Sequence, residues 1–148
     1  MTNWPHVSVE LPPGYGGCFG CGADNPVGLK LKFERHEGGV KAVCTPDARF
    51  QGWPGFMHGG ILGCMLDEAM SWATVHAGVS CITAHFEVRL KRLTPIDSPL
   101  TITGRITRRT RKVVNCSSQI CLADGTVVAE GGATHFVVGT EGGNTGGR

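Results

Sequence analysis

The longest coherent pattern in the chain runs from His58 to Ala77. Leu62, Met65, Leu66, Met70 and Trp72, padded by Gly63, Ala69 and Ala73, leave little polar surface on any side. This predicts one long α-helix that opens at Gly59-Gly60 and is stopped by Gly78. A helix apolar nearly all round has to be wrapped by its surroundings rather than laid on them. Elsewhere the pattern alternates. "LKLKFE" sets Leu29, Leu31 and Phe33 against Lys30, Lys32 and Glu34, and Gly38-Gly39 turns the chain into Val40–Cys44. After the helix, four more alternating runs cover 82–93, 99–109, 112–122 and 126–138, with Asp124-Gly125 as a hairpin turn between the last two. The expected architecture is α+β: about six antiparallel strands, the last four in a meander, curled around one central helix.

The remaining segments lack this patterning. Residues 1–17 carry three prolines and a glycine run, so an irregular arm is expected there. The tail 139–148 is Gly-rich without core-forming residues, which predicts disorder. Between them, 18–138 is expected to be one domain. Its long connection from Thr45 to Met57 has the length that marks a functional loop.

Composition narrows the class. Charged residues make up 18% of the chain, below the usual quarter, so part of the exterior is expected to lie against another subunit. A formal charge of +2 gives no case for nucleic acid. Neither a signal-peptide pattern nor a membrane-length apolar run is present, which predicts a cytoplasmic protein that does not enter a membrane. Its seven cysteines would then be reduced.

Two features of the helix carry candidate chemistry. Gly59 and Gly60 leave the first backbone N–H groups unshielded at the electropositive end, where an oxyanion or carbonyl can bind, although the pair also suits a tight turn or close packing. Asp67 stands among Leu62, Leu66 and Met70. It is either a desolvated acid poised as base or nucleophile, with Ser71 on the same face, or part of a solvated stripe with Glu68. Eight residues separate Gly59 from Asp67, roughly 12 Å of helix. One carbonyl cannot touch both, so if both act, each site combines two chains across a two-fold axis.

"HGGILGCMLDEA" resembles the His-Gly-Gly-then-acid signature of hotdog-fold acyl-CoA thioesterases, most closely the phenylacetate-pathway type. "CFGCGADNPVGLKLKF" and "FQGWPGFMHGG" are similar to the openings of a subgroup of that family, and the resemblance covers 18–138. It implies an acyl-CoA substrate, no cofactor, and a homodimer, with two dimers pairing into a tetramer. Asp67 would be the general base or the nucleophile. Gly59 N–H from the partner chain would polarise the thioester carbonyl, with His58 orienting it and Gly60 beside it. Ser71 or Thr83 would assist the water. Gln51, a residue out of register, is the nearest match to an amide near the carbonyl.

The other groups are weighed with this in view. Phe50, Trp53 and Phe56 either shape an acyl pocket or close the core. Arg89, Lys91 and Arg92, with Arg109 and Arg111, are expected to include the contacts to coenzyme A phosphates, although alternation alone makes each a solvated residue. Cys18-x-x-Cys21 has no second Cys pair to complete a zinc site, so ordinary thiols and no metal are expected. His76, His85 and His135 are isolated and read as core or surface histidines. Two rival functions remain open: an enoyl-thioester hydratase or dehydratase of the same fold, whose loop "WPGFMHGG" resembles, and a non-catalytic acyl-CoA-binding module.

Overall fold

The computed structural model describes residue 11 and residues 13–140. The expected arm at 1–10 and 12, and the expected tail from 141 on, lie outside the described residues. In chain order the elements are β1 (Glu34–His36), β2 (Gly39–Cys44), α1 (Gly59–His76), β3 (Val79–Leu90), β4 (Leu100–Arg109), β5 (Val113–Leu122) and β6 (Val127–Thr140). All six strands form one antiparallel sheet in the order β1-β2-β4-β5-β6-β3, with α1 across one face. Among the described residues no helix is long and apolar enough to cross a membrane.

The helix forms where the pattern placed it. His58 caps its start, its Nδ1 accepting from Gly60 N–H at 2.9 Å, and Gly78 ends it at φ 77°. Met65, Leu66, Ala69 and Met70 are completely buried, and the first three pack with Leu100, Ile102, Ile120 and Val128. Each large side chain so placed contributes roughly 1.5–3 kcal/mol of transfer free energy. Of the helix residues only Gly60 is exposed, in keeping with a wrapped element.

Three expectations need correction. First, β3 follows α1 in sequence but pairs with β6 at the far edge rather than with β4. The helix spans the sheet face and delivers the chain to that edge, so only β4, β5 and β6 form a meander. Second, 29–33 alternate in burial but form no ladder. Lys30 is left-handed (φ 54°), and the N–H groups of Leu29 and Leu31 bond to the carbonyls of Phe19 and Gly20 instead of a neighbouring strand. Third, residues 139 and 140, expected in the tail, continue β6 opposite Ser80 and Val79.

Close approach of helix to sheet depends on Gly104 of β4. A β-carbon there would collide with the backbone carbonyl of Ala69. Gly104→Ala is therefore expected to lower stability by ~1–3 kcal/mol, the cost of overpacking a filled interior. Gly17→Ala, which meets nothing within 4 Å, serves as the control in urea denaturation.

Candidate functional site

Helix α1 and strand β3 run antiparallel beside each other, joined by the turn at 77–78. The contacts between them set the site. At the helix start, a β-carbon on Gly59 would lie 2.8 Å from Leu90 Cδ1; a turn later, one on Gly63 would lie 3.6 Å from Val88 Cγ2. Further along, Thr83 Oγ1 donates to Asp67 Oδ1 at 3.2 Å. So one end of the pair carries Gly59 and the other carries Asp67. Asp67 is half-buried, and Thr83 on the open strand is exposed.

At the helix start, the cap occupies Gly60 N–H with the His58 imidazole, which assigns the ring proton to Nε2. Ile61 and Leu62 N–H both bond to the His58 carbonyl. Gly59 N–H has no partner among the described residues, so it is the donor left for a ligand. Gln51 Oε1 accepts from Gly55 N–H at 3.2 Å, which keeps this amide within its own loop. In the same loop Phe50 is buried in the core under Arg49, Phe56 is half-buried, and Trp53 is 80% exposed at the tip.

Near Asp67 the structure places His135, read from the sequence as a core or surface histidine, in the core. His135 lies opposite Thr83 in the β3–β6 register, is 1% exposed, and has no hydrogen-bond partner on either ring nitrogen among the described residues. Its signal was available: Ala129, Ala133 and His135 share the inward phase of β6. Burial pushes its pKa down, against a smaller upward pull from the Asp67 carboxylate. Ser71, by contrast, makes no hydrogen bond to Asp67. On the other flank, burial pushes the Glu68 carboxyl up, and burial with Glu68 beside it takes the Cys21 thiol to about 12.

The basic residues do not form one group within the chain. Arg109 lies opposite Val114, which is opposite His135, near the Thr83 end of β3. Arg89 lies at the other end of β3, opposite Glu130, with Lys91 and Arg92 just past it, and Lys91 is already paired with Glu130 at 3.2 Å. A groove of about 550 Å³ lined by Arg105, Ser117, Gln119 and Glu130 runs over strands away from Gly59 and Asp67.

A fold of this order with a helix-start donor and a helix carboxylate defines a class. The thioesterase superfamily matches over residues 54–129, just over half of the chain, and the chain belongs to that family. Its architecture is the hotdog fold. A human protein, acyl-coenzyme A thioesterase THEM5, is 42% identical over 60 residues, 39% of this chain and 24% of that protein; its mouse counterpart is 35% identical over 65 residues. The matched segment thus spans about a quarter of those relatives' length. A solved thioesterase superfamily protein is 27% identical with a TM-score of 0.78, covering 91% of this chain and 70% of that one. A hypothetical thioesterase from Streptococcus pneumoniae, solved with coenzyme A, shares the fold at TM-score 0.70 and 22% identity over 74% of this chain and 87% of that one. The Escherichia coli PaaI protein of the phenylacetic acid degradation operon does so at 0.70 and 18% over 76% and 82%.

His135 gives a pH test. Its depressed pKa means the folded state holds the neutral ring, while the unfolded chain takes up a proton below about 6.5. Stability is present above that pH and lost as pH falls through it toward the lower folded value. His76 shifts the same way through burial, so some slope persists without His135. His135→Leu is expected to lose less stability than wild type between pH 7 and pH 5, read as the difference in urea midpoints.

Proposed function

We propose that the chain hydrolyses acyl-CoA thioesters to a free acid and coenzyme A. The observation that carries this reading is the alignment of α1 with β3: an unpartnered Gly59 N–H at one end, and Asp67 bonded to Thr83 at the other. The thioesterase relatives and the fold shared with a coenzyme A complex support it.

The site is completed by a second copy of the chain. β3 is the edge of the sheet and bears Ile82, Phe86 and Leu90 at 45–56% exposure, with Phe136 and Val138 of β6 exposed beside it. An apolar open edge of this kind is covered in a native assembly. Antiparallel pairing of two such edges about a two-fold axis exchanges their ends. The Asp67–Thr83 end of one protomer then faces the Gly59–Leu90 end of its partner. The same exchange brings Arg109 and Arg111 of one chain toward Arg89, Lys91 and Arg92 of the other, assembling a phosphate-binding group that a single chain lacks.

In this dimer the thioester carbonyl accepts from the partner's Gly59 N–H, at the positive end of a helix. The His58 cap holds Gly60 N–H out of use and so fixes the direction of that donor. Asp67 takes a proton from water, whose oxygen attacks the carbonyl carbon, or attacks that carbon itself to form a mixed anhydride that water later hydrolyses to the free acid and Asp67; Thr83 holds the carboxylate in place. The tetrahedral carbon then expels the coenzyme A thiolate. Phe56 and Trp53, on the loop that leads into His58, line the acyl side. Dimers pair further into a tetramer. Seven free cysteines suit a reducing compartment, the cytoplasm in the simplest case.

Thiol release from a panel of short, medium, long and aryl acyl-CoAs tests the reading. Asp67→Asn is expected to lower kcat by about 10²–10⁴-fold while the chain stays folded. Thr83→Val, which removes one hydrogen bond to a carboxylate, is expected to cost about 10–100-fold. Wild-type protein that releases no thiol from any member of the panel would contradict it.

A further inference from the structure

The segment before β1 is built as a rigid turn. The N–H groups of Gly17, Cys18, Gly22 and Asp24 bond to the carbonyls of Gly14, Tyr15, Cys18 and Gly16, and Leu29 and Leu31 tie the turn to the following segment. This turn lies on α1. Tyr15 meets Trp72 edge-on at 6.3 Å, and Gly20 is so close to Glu68 that any β-carbon would collide with its carboxyl end. The result is a three-residue group: the sulfurs of Cys18 and Cys21 and a carboxylate oxygen of Glu68 lie within 4.8 Å of one another.

Packing accounts poorly for this group. Cys18 Sγ lies 3.6 Å from Glu68 Oε1, and a thiol is a weak donor. Glu68 Oε2 is buried and has no hydrogen-bond partner among the described residues. The two thiols and the Trp72 indole N–H beside it offset the desolvation of this carboxylate only in part, since burial still pushes its pKa up and Trp72 Nε1 itself lacks a bonded partner among the described residues. A divalent cation bound by both sulfurs and the carboxylate would offset the remainder. Two sulfurs and one oxygen are the donors of a zinc-like ion, since magnesium and calcium take oxygen ligands.

We propose that Cys18, Cys21 and Glu68 bind one zinc-class divalent cation and so fasten the N-terminal turn to α1. The ion gains two thiolate bonds and one carboxylate bond, each thiol proton passes to solvent, and nothing is oxidised or reduced. The fourth position falls to water or to the Tyr15 hydroxyl, which stands beside Cys21. The role is structural: the ion holds the helix turn next to Asp67 and takes no part in chemistry there. The sequence expectation of ordinary thiols rested on the missing second Cys pair. The third ligand instead comes from a helix 50 residues beyond Cys18.

The test is a titration of reduced, metal-free full-length chain with Co²⁺ under anaerobic conditions. The expected result is one equivalent per chain, with thiolate-to-cobalt charge-transfer absorption and the intense visible bands of tetrahedral cobalt, both bleached by Zn²⁺. Glu68→Gln is expected to weaken binding by more than about tenfold, the low end for losing even an outer-shell partner. Cys18→Ser combined with Cys21→Ser is expected to abolish the charge-transfer band. Should that variant fail to fold, the wild-type spectrum and the Glu68→Gln titration still decide. A wild-type spectrum showing only faint six-coordinate cobalt, or a Glu68→Gln titration matching wild type, overturns the proposal.

Discussion

Along α1 the step from Gly59 to Asp67 is rigid, and at 1.5 Å rise per residue it keeps the two roughly 12 Å apart. A hydrogen bond to a single carbonyl spans about 3 Å. No side-chain rotation closes that gap, because one of the two groups is a backbone N–H. The constraint matters because the helix, though wrapped by the sheet, reaches the sheet's open edge. It runs antiparallel beside β3, an edge strand whose partners lie on one side only. Geometry that separates two useful groups within a chain therefore presents both of them along the edge where a second chain can dock.

The rest of the fold serves that placement. Gly104 and the small residues Ala69 and Ala73 let the sheet come close to the helix, and the buried Met65, Leu66 and Met70 lock it there. Crossing of the sheet face by α1 sends β3 past β4, β5 and β6 to the open edge. The register shift between Thr83 and His85 falls next to Asp67, at the point where Thr83 donates to it. Bulges next to functional sites re-aim side chains in this way.

Much of this was legible in the residues, and the reasons for the remainder are physical. The helix, its glycine stop and the later strands followed from periodicity, whereas the hydrogen bond from Thr83 to Asp67 did not, since Thr83 was expected only as a residue that positions the water. Strand order was not legible, since alternation reports which face a residue takes and not which strand it neighbours. His135 is the core histidine that its isolation in sequence allowed, but its place opposite Thr83 was not legible, because that strand stands far away in sequence. Glu68 was left open between a buried and a solvated face for a similar reason: what covers it is the turn at 18–21, and no local pattern in the helix reveals that cover. Ser71 fits the spacing rule, yet its hydroxyl makes no bond to Asp67, while Gln51 is taken up by its own loop.

Mixed dimers test the central claim most directly. Gly59→Pro deletes the N–H at the first helical position, where proline suits the helix and His58 already has the extended backbone (ψ 130°) that a following proline requires; its β-carbon, 2.8 Å from Leu90 Cδ1, requires only the exposed end of that side chain to shift. Each single variant alone is expected to be inactive. If the site combines two chains, a heterodimer of Asp67→Asn with Gly59→Pro keeps one intact site and regains about half of wild-type activity, by the symmetry of the two sites. A heterodimer of the double variant with wild type then has none. The reverse pattern, with the first pair dead and the second half-active, would mean that both residues act within one chain.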